Sequence, residues 1–215
     1  MFVGDRMSQP VIYVTPDTRV QDAVHLMKKE NVRRLPVMEK GKLVGIVSDY
    51  DLQNATPSKA TSLSVWEINY LLSKITVDEV MTRELVTVSK DTPIEDAARI
   101  MVDNSIGGMP VMEGDKVVGM ITETDLFRIL LELLGARDIG VRVTMMVENQ
   151  PGEFSKLSTA LAKEGANIVA MGAIQGEDAA TVEMMFKVAG LDKDRVLEII
   201  KPIAKEVVDV RESDL

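Results

Sequence analysis

Apolar positions recur along this chain in two rhythms, and the whole pattern is written twice. Val20, Ala23, Val24 and Met27 fall at helical spacing, as do Ile94, Ala97, Ala98 and Met101, so each set predicts a helix with one apolar face. Short β-type runs precede both, at Val11–Val14 and Val86–Val88. Thr15-Pro16-Asp17-Thr18 and Ser89-Lys90-Asp91-Thr92 then supply turn and helix N-cap residue types. Asn31 and Ser105 are expected to end the helices. Leu35–Met38 and Leu43–Val47 read as strands joined by Glu39-Lys40-Gly41-Lys42, and Met109–Met112 with Lys116–Ile121 repeat that hairpin around Gly114-Asp115. A second helix should follow Ser48 in one copy and Thr122 in the other.

Residues 7–52 and 81–126 align without a gap at a constant offset of 74. Each copy is strand, helix, strand, strand, helix. A unit of this size has a marginal core alone, so the two copies are expected to bury a face on each other. Between them Gln53–Ser62 reads as a polar loop, and Ser64–Lys74 as a helix whose Val65, Ile68, Leu71, Leu72, Trp66 and Tyr70 pack.

After a short linker, Gly135–Asp138, the order changes. Gly140–Val147 predicts a strand, Asn149-Gln150-Pro151-Gly152 a turn, Glu153–Glu164 a helix, Ile168–Ile174 and Ala180–Val188 two strands, Asp192–Ile203 a helix that Pro202 bends or ends, and Glu206–Arg211 a last strand. This is a βαββαβ plan of the ferredoxin-like kind. The fold class is therefore α/β in the α+β sense, with domains at 1–76, 77–135 and 139–215.

Composition narrows the chemistry. A formal net charge of -9 argues against a nucleic-acid backbone binder, which needs a basic surface. No apolar run is long enough for a membrane span, and Met1–Ser8 lacks the order of a signal peptide, so a cytoplasmic protein is expected. The absence of cysteine removes thiolate metal sites and thiol nucleophiles, and the single His25 leaves no imidazole pair for metal or base work. Met27, Met38, Met101, Met112, Met145 and Met146 read as packing residues. No base, nucleophile and metal set converges, so the expectation is a protein that is not an enzyme.

Leu35-Pro36-Val37-Met38 and Met109-Pro110-Val111-Met112, followed by Gly45-Ile46-Val47-Ser48-Asp49-Tyr50-Asp51 and Gly119-Met120-Ile121-Thr122-Glu123-Thr124-Asp125, resemble a tandem pair of CBS domains over roughly the first 135 residues. That resemblance implies a regulatory module holding an adenosine-containing ligand in the cleft between repeats. The residue types agree. A hydroxyl at Ser48 or Thr122 can donate to phosphate beside a helix N-terminus, and Asp51 or Asp125 can accept both bonds of a ribose diol. Ser-x-x-Asp is equally a helix cap needing no ligand, and the residues alone leave both roles open.

Carried over by the resemblance, one site joins Thr18, Ala23, Val32, Arg33 and Arg34 to Thr122 and Asp125; the other joins Thr92, Ala97, Ile106, Gly107 and Gly108 to Ser48 and Asp51. Arg33 and Arg34 face Gly107 and Gly108 in the alignment, so the arginine-bearing site is expected to prefer the more phosphorylated ligand; a plain surface role for the arginines also stays open. Asp49 and Asp51 leave Mg2+ open as a companion of the nucleotide, although Asp-x-Asp alone is a weak metal signal.

Asn149-x-Pro151-Gly152 and Gly165-Ala166-Asn167-Ile168 resemble an ACT domain. The resemblance implies an amino-acid site drawing on Asn149, Gly152, Asn167 and Ile168 at an interface between two copies; a module that only dimerises is the other reading. Two CBS units followed by one ACT unit resemble the acetoin utilisation protein B type of regulator. This implies a homodimeric sensor in acetoin or central carbon metabolism that answers an adenine nucleotide, or, in the competing reading, a ligand-free module docking on a partner enzyme.

Overall fold

The computed structural model describes residues 1–55, 74–176 and 178–213. The helix expected over Ser64–Lys74, with Trp66 and Tyr70, falls almost wholly outside the described residues, as does Glu177 in the turn before Thr181. The chain divides into two compact units, Met1–Leu126 and Phe127–Leu215.

In the first unit α1 (Val20–Glu30), β1 (Arg34–Glu39), β2 (Lys42–Ser48) and α2 (Asp49–Asn54) form one repeat. After the short α3 (Val77–Val80), the second repeat follows with β3 (Val88–Ser89), α4 (Ile94–Asp103), β4 (Gly108–Glu113), β5 (Lys116–Thr122) and the start of α5 (Glu123–Leu133). Helix α1 stops at Asn31, which takes a left-handed φ of 52°; its counterpart Ser105 takes 54° after Asn104. The β1-β2 hairpin turns through Lys40 and Gly41, both at positive φ, which matches the right-handed twist of the strands.

Two expectations are corrected. Val11–Val14 is not a strand; Val14 alone bridges Val37, because Pro10 and Pro16 remove amide donors on both sides. Thr18 and Thr92 do not cap their helices. The N-cap residues are Arg19 and Pro93, without a side-chain bond, while each threonine closes the preceding turn.

The repeats exchange their leading segments. Val3 is fully buried in the core of the second repeat with Val88, Ala97, Met101, Met109, Val111 and Ile121. Val77, its equivalent, is fully buried in the first repeat's core with Val20, Ala23, Leu35, Val37 and Leu52. Backbone bonds obey the same dyad: Val3 N–H donates to Thr92 O at 2.9 Å and Val77 N–H to Thr18 O at 2.8 Å, while Ser8 bridges Met120 and Thr82 bridges Ile46. Burying each such side chain contributes about 2 kcal/mol, which ties the two marginal cores into one. Of the methionines expected to pack, Met27, Met101 and Met145 are buried and Met38, Met112 and Met146 are half-buried.

The second unit contains β6 (Gly140–Glu148), α6 (Glu153–Lys163), β7 (Asn167–Gln175), β8 (Thr181–Ala189), α7 (Lys193–Ile200) and β9 (Glu206–Ser213). Its antiparallel sheet has the order β7-β8-β6-β9, the ferredoxin-like arrangement. Alternate strand residues Val141, Val143, Met145 and Val147 meet Leu157, Leu161, Val196 and Ile200 of the helices in one core. Asp192 caps α7, and that helix ends two residues before Pro202, whose ring would clash with a continuing turn.

Candidate functional site

Ser48 and Thr122 end the inner strands of the two repeats and open the helices that follow. Asp51 Oδ2 accepts from Ser48 N–H at 2.8 Å and from its hydroxyl at 2.6 Å; Asp125 Oδ2 accepts from Thr122 N–H at 3.0 Å and its hydroxyl at 2.7 Å. The full capping box is present at Ser48, where Asp51 N–H also donates to the hydroxyl at 3.3 Å, and its carboxylate half recurs at Thr122. This geometry also fixes each carboxylate against a hydroxyl and a helix N-terminus, with Asp125 only 6% exposed.

Hairpin register sets Arg34 opposite Ser48 and Gly108 opposite Thr122. The two hairpins meet there. A Cβ on Gly108 would lie 3.4 Å from Arg34 Cδ and 3.1 Å from Thr122 Cγ2, so Arg34 packs on the backbone of the other repeat. Arg33 Nη2 donates to Thr124 Oγ1 at 3.4 Å, and Arg34 Nη2 stands 3.7 Å from Glu123 Oε1. Asp49 N–H donates to Arg33 O and Glu123 N–H to Gly107 O, the same bond in each copy. Arg33 and Arg34 are therefore brought to the segment carrying Thr122 and Asp125, as one expected grouping requires. Planar guanidinium forks, hydroxyls, the buried Asp125 carboxylate and a helix N-terminus in one place suit a ligand with anionic and diol groups.

Other members sit differently. Thr18 and Thr92 are half-buried in their own turns, and Val32 and Ile106 pack against the repeat cores. Ala23 and Ala97 are fully enclosed in those cores, where no ligand atom reaches them without displacing core side chains. Glu123 and Thr124 were missed from sequence. They lie inside the Gly119–Asp125 motif, but their partners belong to the other repeat, and local periodicity carries no register between repeats. Among the described residues no group of three or more His, Asp or Glu is placed to hold a metal ion, and no helix is long and apolar enough to cross a membrane.

In the second unit Asn149 Nδ2 donates to Ala179 O at 2.9 Å, and Gly152 opens α6 at a φ of 100° with open space around its Cα. A groove of about 460 Å³ runs beside them, lined by Asn149, Phe154, Ala173, Ile174, Gln175, Ala179 and Val182. Asn167 and Ile168 are not part of it. Asn167 pairs with Ala189 and Glu148 with Thr181, eight residues along β8, so the two halves of the expected amino-acid site lie about 27 Å apart within one chain. Glu153, which was not singled out, accepts from Lys156 Nζ at 2.6 Å and Gln150 Nε2 at 2.8 Å. Those bonds hold its carboxyl below the usual glutamate range.

Residues 3–57 and 77–132 match the family described as CBS domain. The uncharacterized protein MJ1225 of Methanocaldococcus jannaschii is 30% identical over 134 residues, 59% of this chain and 46% of that protein, so the match spans less than half of this relative's length. Solved structures similar to this chain include these three. CBSX2 in complex with AMP is 36% identical with a TM-score of 0.52, covering 61% of this chain and 97% of that one. The CBS domain pair of MJ0100, in complex with 5′-methylthioadenosine and S-adenosyl-L-methionine, is 30% identical at 0.51, covering 60% and 95%. A putative acetoin utilization protein (AcuB) from Vibrio cholerae is 29% identical at 0.53, covering 64% and 96%.

Proposed function

The chain belongs to the CBS domain family, and we propose that it is a non-catalytic regulatory sensor. In this reading it binds an adenosine-containing ligand of the AMP, ADP and ATP class between its repeats and passes a conformational change to its second unit. The observation that carries the reading is the meeting of Arg33 and Arg34 with the Thr122–Asp125 segment of the other repeat. Adenosine ligands bound by similar CBS pairs support it. We take 139–215 as an ACT-like domain, supported by the β7-β8-β6-β9 order, and the groove beside Asn149 and Gly152 as its place for an amino acid. A role in acetoin metabolism is supported by the likeness to the putative acetoin utilization protein, and in this reading the chain acts as a homodimer on a partner enzyme in acetoin or central carbon metabolism.

Isothermal titration with AMP, ADP, ATP and S-adenosylmethionine tests the reading. One of them should bind, and Asp125→Ala should weaken that binding at least about tenfold, the loss expected when a charged hydrogen-bond partner is removed. Circular dichroism checks that the variant folds. Unchanged affinity in a folded variant counts against the site. A second reading, a module that docks on a partner with no ligand, is favoured by the exposed Phe127, Leu130, Leu131 and Leu133 of α5, and it gains if no adenosyl compound binds.

A further inference from the structure

Arg34 does not stand as an unopposed cation. Its guanidinium, with a side chain 23% exposed, faces the Glu123 carboxylate of the other repeat at 3.7 Å. The space for this meeting depends on a missing side chain. A Cβ on Gly107 would lie 1.8 Å from Glu123 Oε1 and 2.3 Å from Arg34 Nη2. The dyad does not reproduce the pair, because at the offset of 74 Arg34 becomes Gly108 and Glu123 becomes Asp49. The two places thus differ in charge: one holds Arg33 and an Arg34 already opposed by a carboxylate, the other an aspartate opposite two glycines. The arginine-bearing site carries a counter-ion, Glu123, beside its cations.

We propose that Glu123 is a specificity-determining residue of the cleft: it occupies Arg34 in place of a ligand phosphate and so shifts preference toward adenosyl ligands without a 5′ phosphate. The inference rests on the adenosyl-sensor reading above. A phosphate that binds Arg34 must displace Glu123 and sit near its charge, whereas an uncharged 5′ substituent does neither. The pair is partly exposed and not in direct contact, so its competition is worth only a modest factor in affinity.

The test is titration of AMP and of 5′-methylthioadenosine into the full chain, comparing wild type with Glu123→Gln, Arg34→Met and the double variant. Glu123→Gln keeps the shape and removes the charge. It should tighten AMP roughly two- to fivefold, with a smaller gain at high salt, and leave 5′-methylthioadenosine unchanged. Arg34→Met should erase the gain when combined with Glu123→Gln. Equal shifts for both ligands, or an AMP affinity indifferent to the charge, would overturn the inference while the sensor reading survives. Failure of wild type and Glu123→Gln alike to bind either compound or any other adenosyl ligand would sink both.

Discussion

Glu153 is 5% exposed at the first turn of α6, yet it is charged, because Lys156 and Gln150 both donate to its Oε1. These donors favour the ionised form and lower the carboxyl's affinity for protons in the folded chain. The unfolded chain protonates at about pH 4.3, so between that value and the lower folded one it binds more protons than the native state. The bonds therefore stabilise fully above the unfolded value and are lost as pH falls through the folded one. Glu153→Gln should lower the unfolding midpoint at neutral pH, and its difference from wild type should shrink only as pH falls below the unfolded value of about 4.3 and through the lower folded one. Thermal scans of both proteins across that range check it; a difference that persists in acid would mean that Glu153 acts through shape and not charge. The same logic of opposed charges governs Arg34 and Glu123, where a carboxylate decides what an arginine is free to do.

At the scale of elements, segments with a strong internal period were legible in the sequence. Val20, Ala23 and Met27 point one way along α1, and β1 with β2, or β4 with β5, fall within a residue or so of the expected hairpins. The βαββαβ order of the second unit was legible for the same reason, since Gly, Asn and Pro punctuate each change of period. What was not legible depends on contacts distant in sequence. Nothing in Phe2–Ser8 announces that Val3 completes the second repeat's core, and nothing in Arg34 announces Glu123. The one signal available was Gly107-Gly108 standing where the first repeat has two arginines, a sign of close approach that names no neighbour. The exchange of leading segments makes a directional prediction. Val3→Ala removes fully buried methyl groups from the core of Val88, Met109 and Ile121, at a cost of about 2 kcal/mol. Hydrogen exchange should then quicken in β3, β4 and β5 more than in β1 and β2, and Val77→Ala should do the reverse. Equal loosening of both repeats by each variant would mean that the first unit opens as a single cooperative block.

At the scale of the molecule, α5 is the element through which a ligand event near Thr122 has a covalent route into the second unit. Its eleven residues span about 16 Å. Its first turn carries Glu123 and Asp125; beyond its last turn Gly135 takes a left-handed φ of 58° and Ala136 N–H donates back to Leu131 O. There the buried Lys187 of β8 closes the helix end, its ammonium donating to Gly135 O at 2.7 Å, Asp138 O at 2.8 Å and Ser213 Oγ at 2.8 Å. A cation at a helix C-terminus complements the carbonyl dipoles, and three oxygens satisfy all three of its donors. Lys187→Met would remove the ammonium from all three oxygens, leaving Gly135 O only the Asp138 N–H at 3.1 Å, and should cost the second unit roughly 2–4 kcal/mol. A ligand moves an equilibrium only by its difference in affinity between two arrangements, and in the proposed reading the hold of the helix end on the sheet would carry that difference into the second unit. Hydrogen exchange with and without saturating AMP, well below the variant's unfolding temperature, separates the two roles of the lysine. In wild type, AMP should slow exchange at Thr122–Asp125 and at 134–138. In Lys187→Met the first effect should remain and the second should disappear; slowing at 134–138 in the variant would show that the ligand's influence travels without this clamp.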